Sequence, residues 1–130
     1  MKKVLIVDDD ASARFIFYKL VNDLGYIITM ADSAELALDI LMVNKDFDLI
    51  ITDMVMKGIN GDEFVKKMVE SKHYPKVPVI LCSGITSKDE ILKCLRTGIN
   101  LFMEKPINGP KLQAHILKML EPNLADTLYK

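Results

Sequence analysis

Leu49-Ile50-Ile51-Thr52-Asp53 is a run of β-forming residues that closes on a carboxylate. Apolar side chains at successive positions mark a strand covered on both faces, the kind found in parallel sheets with helices above and below. In such sheets the ligand crevice lies outside the carboxyl ends of the strands. Asp53 is therefore expected at that edge, in a site and not in the core. Three other apolar runs end in the same way: Val4-Leu5-Ile6-Val7 before Asp8-Asp9, residues 77–82 before Ser83-Gly84, and Asn100-Leu101-Phe102-Met103 shortly before Lys105.

Working outward, helical spacing follows each strand. Phe17, Leu20, Val21 and Leu24 repeat at helical intervals and stop at Gly25; a second strand, Tyr26-Ile27-Ile28-Thr29-Met30, leads to a helix expected to bury Leu36, Ala37, Ile40 and Leu41. Asp32 and Glu35 have the spacing of a capping box for it, as do Ser87 and Glu90 later, and Asn60 with Glu63 is a further candidate cap. The third helix should bury Phe64, Val65, Met68 and Val69, the fourth Ile91, Leu92 and Leu95 up to Gly98, and the last, starting near Pro110, Leu112, Ile116, Met119 and Leu120. Pro122 is expected to end it, leaving one domain over residues 1–122 and a frayed tail over 123–130.

Strict alternation of strand and helix requires right-handed crossovers. The expected fold is a doubly wound (βα)5 domain: a five-stranded parallel sheet in the flavodoxin-like order 2-1-3-4-5 with helices on both faces. Strands 1 and 3 are then neighbours, and Asp8-Asp9 and Asp53 meet at one crevice.

Composition narrows the function classes. The 130 residues are 50% hydrophobic and 27% charged, with a formal net charge of -1. That balance disfavours a polybasic surface, so neither nucleic acid nor membrane is an expected partner. No stretch is long and apolar enough for a span, and a cytoplasmic location is expected. Cys82 and Cys94 are read as core thiols, the methionines mostly as core gap-fillers, and His73 and His115 as surface or helix-face residues without ligand-spaced companions.

Three carboxylates at one crevice repel each other, and the usual remedies are protonation or a cation. Oxygen-only donors suit a hard ion, Mg²⁺ or Mn²⁺, which binds through one or two carboxylates together with phosphate oxygens. Lys105 offers a point charge for phosphoryl oxygens, Ser83 a hydroxyl, and Gly84 an unobstructed N–H. A carboxylate attacking a phosphoryl donor is an established nucleophile, with Asp53 the candidate. Singly, each feature has a plain structural account as a cap, turn or loop; together, at four strand ends, they point to a site.

These residues resemble the receiver domain of two-component response regulators over residues 2–120. Val7-Asp8-Asp9-Asp10 is similar to that family's acidic pair, Asp53 to its phosphoacceptor, Ser83 to its hydroxyl position and Lys105-Pro106 to its Lys-Pro. The resemblance implies Mg²⁺ held by Asp9, Asp53 and the backbone carbonyl of Val55, with Asp8 assisting through water. It implies that Asp53 takes a phosphoryl group from a histidine kinase or phosphotransfer protein, that Ser83, Gly84 and Lys105 bind it, and that Phe102, at the switch-aromatic position, moves with the surface of helix 4, strand 5 and helix 5 for a downstream protein partner or relay. It also implies a cis peptide before Pro106, a phosphoacceptor and not a free-standing enzyme, and a monomer or weak homodimer, either stand-alone or part of a larger regulator.

The chain departs from the family in particular places. Lys57 stands where proline is usual, which is expected to loosen the loop, its cation compensating electrostatically. Phe102 has no hydroxyl. Val55 and Ile85, the positions that face the hydrolytic water in receivers, are apolar, so slow loss of the phosphoryl group is expected. Asp10 is read as a helix cap. The alternatives are a pseudo-receiver that only binds proteins, an aspartyl-nucleophile phosphatase, and a flavin carrier. Asp53-Met54-Val55 lacks the second acid of haloacid dehalogenase-like phosphatases, and the acidic loop after strand 1 would repel a flavin phosphate.

Overall fold

The computed structural model of the chain describes residues 1–84 and 87–128. Strands β1 (Lys3–Val7), β2 (Ile27–Ala31), β3 (Leu49–Asp53), β4 (Val79–Ser83) and β5 (Leu101–Glu104) alternate with helices α1 (Ala11–Asn22), α2 (Ala34–Val43), α3 (Gly61–Glu70), α4 (Lys88–Arg96) and α5 (Gly109–Leu120). A short α6 (Pro122–Leu128) follows. The sheet is parallel throughout, in the order β2-β1-β3-β4-β5. The doubly wound expectation holds.

The period-2 rule divides the strands between two cores. Leu5, Val7, Ile50, Val79 and Leu81 face a cluster completed by Ala37 and Leu41 of α2, Phe64 and Met68 of α3 and Cys94 of α4. Val4, Ile6, Leu49, Ile51, Ile80 and Cys82 face the other, closed by Phe17 and Val21 of α1 and Leu112 and Ile116 of α5. Every residue of β3 is buried, which is why the deciding stretch reads as continuous apolar residues and not as an alternation. Each such Leu or Ile contributes about 1.5–3 kcal/mol on burial. The edge strands β2 and β5, covered on one side only, are partly exposed.

Several local expectations are corrected. Ser33, not Asp32, caps α2, its Oγ accepting from the Leu36 N–H at 3.1 Å. Ala34, Ala37 and Leu41 form the buried stripe of α2, and Leu36, turned off that stripe, is exposed. Val69, Leu92 and Leu95 are likewise exposed; Cys94 is the buried residue of α4, which packs beside the half-covered edge strand and has little sheet to cover. Neither Asn60 nor Ser87 makes a side-chain cap bond. Asp10 does, accepting from the Ala13 N–H at 3.1 Å.

Of the tail expected to fray over 123–130, residues 123–128 are helical. Pro122 begins α6, where its missing N–H costs nothing because first-turn donors have no helical partner, and Ala125 is buried. Both cysteines are buried, and burial pushes the Cys82 thiol up to about 12, so it stays protonated in the core. No helix among the described residues is long and apolar enough to cross a membrane.

Candidate functional site

Sheet register brings the polar strand ends together. Val7 pairs with Thr52, so Asp8 and Asp53, each one residue further, stand side by side. Both lie one strand period beyond Ile6 and Ile51, hence on the face that packs on α1 and α5. Asp53 pairs with Cys82, placing Ser83 one step beyond on β4; Ser83 pairs with Glu104, placing Lys105 one step beyond on β5. A backbone bond from the Lys105 N–H to the Ser83 carbonyl, 2.8 Å, ties these last two ends. The Lys105–Pro106 peptide is cis.

The carboxylates differ in environment. Asp8 is fully buried: Oδ1 accepts from the Asp10 N–H at 2.9 Å, while Oδ2 has no hydrogen-bond partner among the described residues and lies 4.0 Å from Lys105 Nζ, too far for such a bond. Asp53 is buried and its Oδ1 takes two donors, the Met54 N–H at 2.9 Å and Lys105 Nζ at 2.9 Å. Asp9 is partly exposed and its Oδ2 accepts from the Lys57 N–H at 2.8 Å. One oxygen from each of Asp8, Asp9 and Asp53 lies within 4.8 Å of the others.

The electrostatics follow from burial and charge. Burial pushes the Asp8 carboxyl above its ordinary value; the Asp10 N–H opposes the rise, the Asp53 charge adds to it, and Lys105 opposes it. Burial works to lower Lys105, but its hydrogen bond to Asp53 and the charges of Asp53 and Asp8 outweigh it, so the ammonium is held above the usual lysine range. Lys105 pairs with two of the three clustered carboxylates, Asp53 and Asp8. The orphaned Asp8 oxygen and the all-oxygen donor set fit a group that brings further positive charge, so the cluster is able to hold a metal ion.

Of the other expected site residues, Ser83 is buried at the tip of β4, Gly84 and Val55 are exposed beside it and beside Asp53, and Phe102 is half-buried against the core on the α4 side. Ile85 lies outside the described residues.

Three residues that shape the site escape sequence reading. Arg14, one turn into α1, donates from Nη1 to the Asp8 carbonyl at 2.7 Å. Glu35 of α2 reaches the loop after β3, where Oε1 accepts from the Ile59 N–H at 3.5 Å. Gly61 begins α3 so close to β3 that a Cβ there would stand 2.2 Å from the Asp53 carbonyl oxygen. Its N–H bonds the Met54 carbonyl at 2.8 Å. Only the glycine-rich turn hints at Gly61; long-range partners of Arg14 and Glu35 leave no local signal.

The loop in which Lys57 stands is hydrogen-bonded along its length. Residues 54–61 are fastened by the Met54 N–H to Asp53, the Met56 N–H to Asn60 Oδ1 at 3.0 Å, the Lys57 N–H to Asp9 and the Gly61 N–H to Met54. Proline at position 57 could not make the third of these bonds.

A fold of this order with clustered acids at the β1 and β3 ends defines a phosphoacceptor class of signalling domain, and comparison with known proteins agrees. The family model described as the response regulator receiver domain matches residues 4–117. The chemotaxis protein CheY of Pseudomonas aeruginosa is 31% identical over 120 residues, 92% of this chain and 96% of that protein. A two-component response regulator of Oryza sativa subsp. indica is 34% identical over 104 residues, 80% of this chain and 79% of that one. Among solved structures, the chemotaxis response regulator CheY4 of Vibrio cholerae superposes with a TM-score of 0.83 at 30% identity, covering 92% of this chain and 99% of that chain. The chain belongs to the receiver-domain family of two-component response regulators. As such it is a phosphoacceptor and not an independent enzyme.

Proposed function

We propose that Asp53 is the residue that receives the phosphoryl group, in a reaction that requires Mg²⁺ or Mn²⁺. The observation that carries this reading is the Lys105 ammonium 2.9 Å from Asp53 beside a buried, unbonded Asp8 oxygen: a single cation serving an excess of buried negative charge. Asp9, Asp53 and the Val55 carbonyl would hold the metal, with Asp8 acting through water. When bound, the metal neutralises carboxylate and phosphoryl charge so that two anions can approach.

Both bonds given for the Asp53 carboxylate among the described residues fall on Oδ1. Oδ2 is thus the oxygen assigned to attack. It forms the new O–P bond as the P–N bond of a phosphohistidine, on a histidine kinase or phosphotransfer protein, breaks and its electron pair returns to the imidazole. Lys105 then transfers its hydrogen bond from the carboxylate to a phosphoryl oxygen, while Ser83 and Gly84 supply a hydroxyl and an N–H. These new contacts favour one conformer of the α4–β5–α5 surface, including Phe102, and so alter its affinity for a downstream protein partner. Apolar Val55 and Ile85 offer no group to orient water for hydrolysis, which favours a long-lived phosphorylated state.

Incubation with Mg²⁺ and acetyl phosphate tests this. A gain in mass of one phosphoryl group that requires Mg²⁺ and vanishes in Asp53→Asn is expected. Wild-type protein that stays unmodified, with beryllofluoride also without effect on its spectrum, would leave a protein-binding pseudo-receiver.

A further inference from the structure

The loop that follows Asp53 is tied to the acidic cluster through its backbone. Lys57 is exposed, and its backbone N–H reaches back across the crevice to Asp9 Oδ2 at 2.8 Å, linking positions 48 residues apart. Asp9 is the partly exposed member of the acidic cluster, so burial does not hold its carboxylate as it holds those of Asp8 and Asp53. The loop carries its own bonds: Asn60 Oδ1 takes the Met56 N–H, Glu35 lies over Gly58 and takes the Ile59 N–H, and the Gly61 N–H bonds the Met54 carbonyl. The Lys57 N–H therefore holds one oxygen of a carboxylate that belongs to the acidic cluster.

We infer that Lys57 is a positioning residue that acts through its backbone N–H, and not its ammonium, by pre-orienting Asp9 for the metal. The inference rests on the metal reading of the site. It makes the absence of proline at position 57 part of how this site is assembled, since only a residue with an N–H can serve.

Two substitutions separate backbone from side chain. Lys57→Ala keeps the N–H and removes the charge; Lys57→Pro removes both. Mn²⁺ titration followed by electron paramagnetic resonance, with no phosphodonor present, should show Lys57→Ala within about twofold of wild type and Lys57→Pro weakened about tenfold or more, the loss expected for one hydrogen bond to a charged group. Wild-type affinity in Lys57→Pro, or equal weakening in Lys57→Ala, overturns the inference. Should Lys57→Pro fail to fold, amide exchange decides: protection of the Lys57 N–H in wild type that is lost in Asp9→Ala supports it, and equal protection in both overturns it. Asp9→Asn is the control for the metal reading. Unchanged Mn²⁺ binding there refutes that reading, and this inference with it, whereas weakened binding in Asp9→Asn with no effect of Lys57→Pro refutes this inference alone.

Discussion

Gly61→Ala places a methyl group where the backbone of the nucleophile already stands. The added Cβ would lie 2.2 Å from the Asp53 carbonyl oxygen, 3.1 Å from its carbonyl carbon and 2.9 Å from Leu81 Cδ1. Leu81 can rotate, but the Asp53 carbonyl cannot yield without moving the end of β3 or the start of α3. Overpacking of this kind costs roughly 1–3 kcal/mol or more. Displacing α3 also threatens the Gly61 N–H bond to the Met54 carbonyl, about 1 kcal/mol, while alanine in a helix returns up to about 1 kcal/mol. The net loss is about 2–3 kcal/mol, or roughly 10 °C in Tm for a domain of this size. Thermal unfolding by circular dichroism reads the first effect, and the rate of phosphoryl uptake from acetyl phosphate the second, since Asp53 moves with its carbonyl. A variant melting within about 2 °C of wild type and labelling at the same rate would refute the claim that this close approach sets the site.

Other outcomes follow from the charges. Lys105→Ala leaves Asp53 and Asp8 without their cation, so the metal-free protein should lose about 1–2 kcal/mol in urea titration while Mn²⁺ binds more tightly, by roughly threefold or more. Weaker Mn²⁺ binding would contradict the excess-charge account. Asp8→Asn should raise metal-free stability at pH 7 by about 1 kcal/mol. Because the folded pKa of Asp8 lies above its unfolded value, the native state holds the extra proton between the two, and wild-type stability falls as pH rises through that window. The advantage of the variant should therefore shrink as pH is lowered toward the ordinary carboxyl value of 3.8, and an advantage that grows instead would sink this assignment. Val55→Asn should shorten the phosphorylated lifetime several-fold by giving the exposed position beside Asp53 a group that can orient water; an unchanged decay of labelled protein would remove position 55 from control of lifetime.

What the sequence made legible, and what it hid, divides along physical lines. The buried runs at β1, β3 and β4 and the polar residues closing them are local patterns, and strand alternation carries them to one edge through topology alone. Capping is decided by which side chain happens to reach an N–H, so Ser33 took the place expected for Asp32, and Asn60 turned to Met56 instead of its own helix. Burial of Leu36, Val69, Leu92 and Leu95 failed because helical periodicity tells which residues share a face and not how much of that face a neighbour covers. Pro122 was read as a stop when it serves equally as a first helical residue. The bonds of Arg14, Glu35 and Lys57 to distant backbone or side-chain atoms depend on tertiary approach, and the Lys57 N–H is invisible to any reading that treats residues as side chains.

Asp53 as the acceptor is tested most directly by trapping the acyl phosphate chemically. Protein treated with Mg²⁺ and a phosphodonor, then reduced with borohydride, should carry homoserine in place of aspartate at position 53 when its peptides are sequenced by mass spectrometry. Homoserine at position 8 or 9, or at no position in protein shown to be folded, would contradict the account.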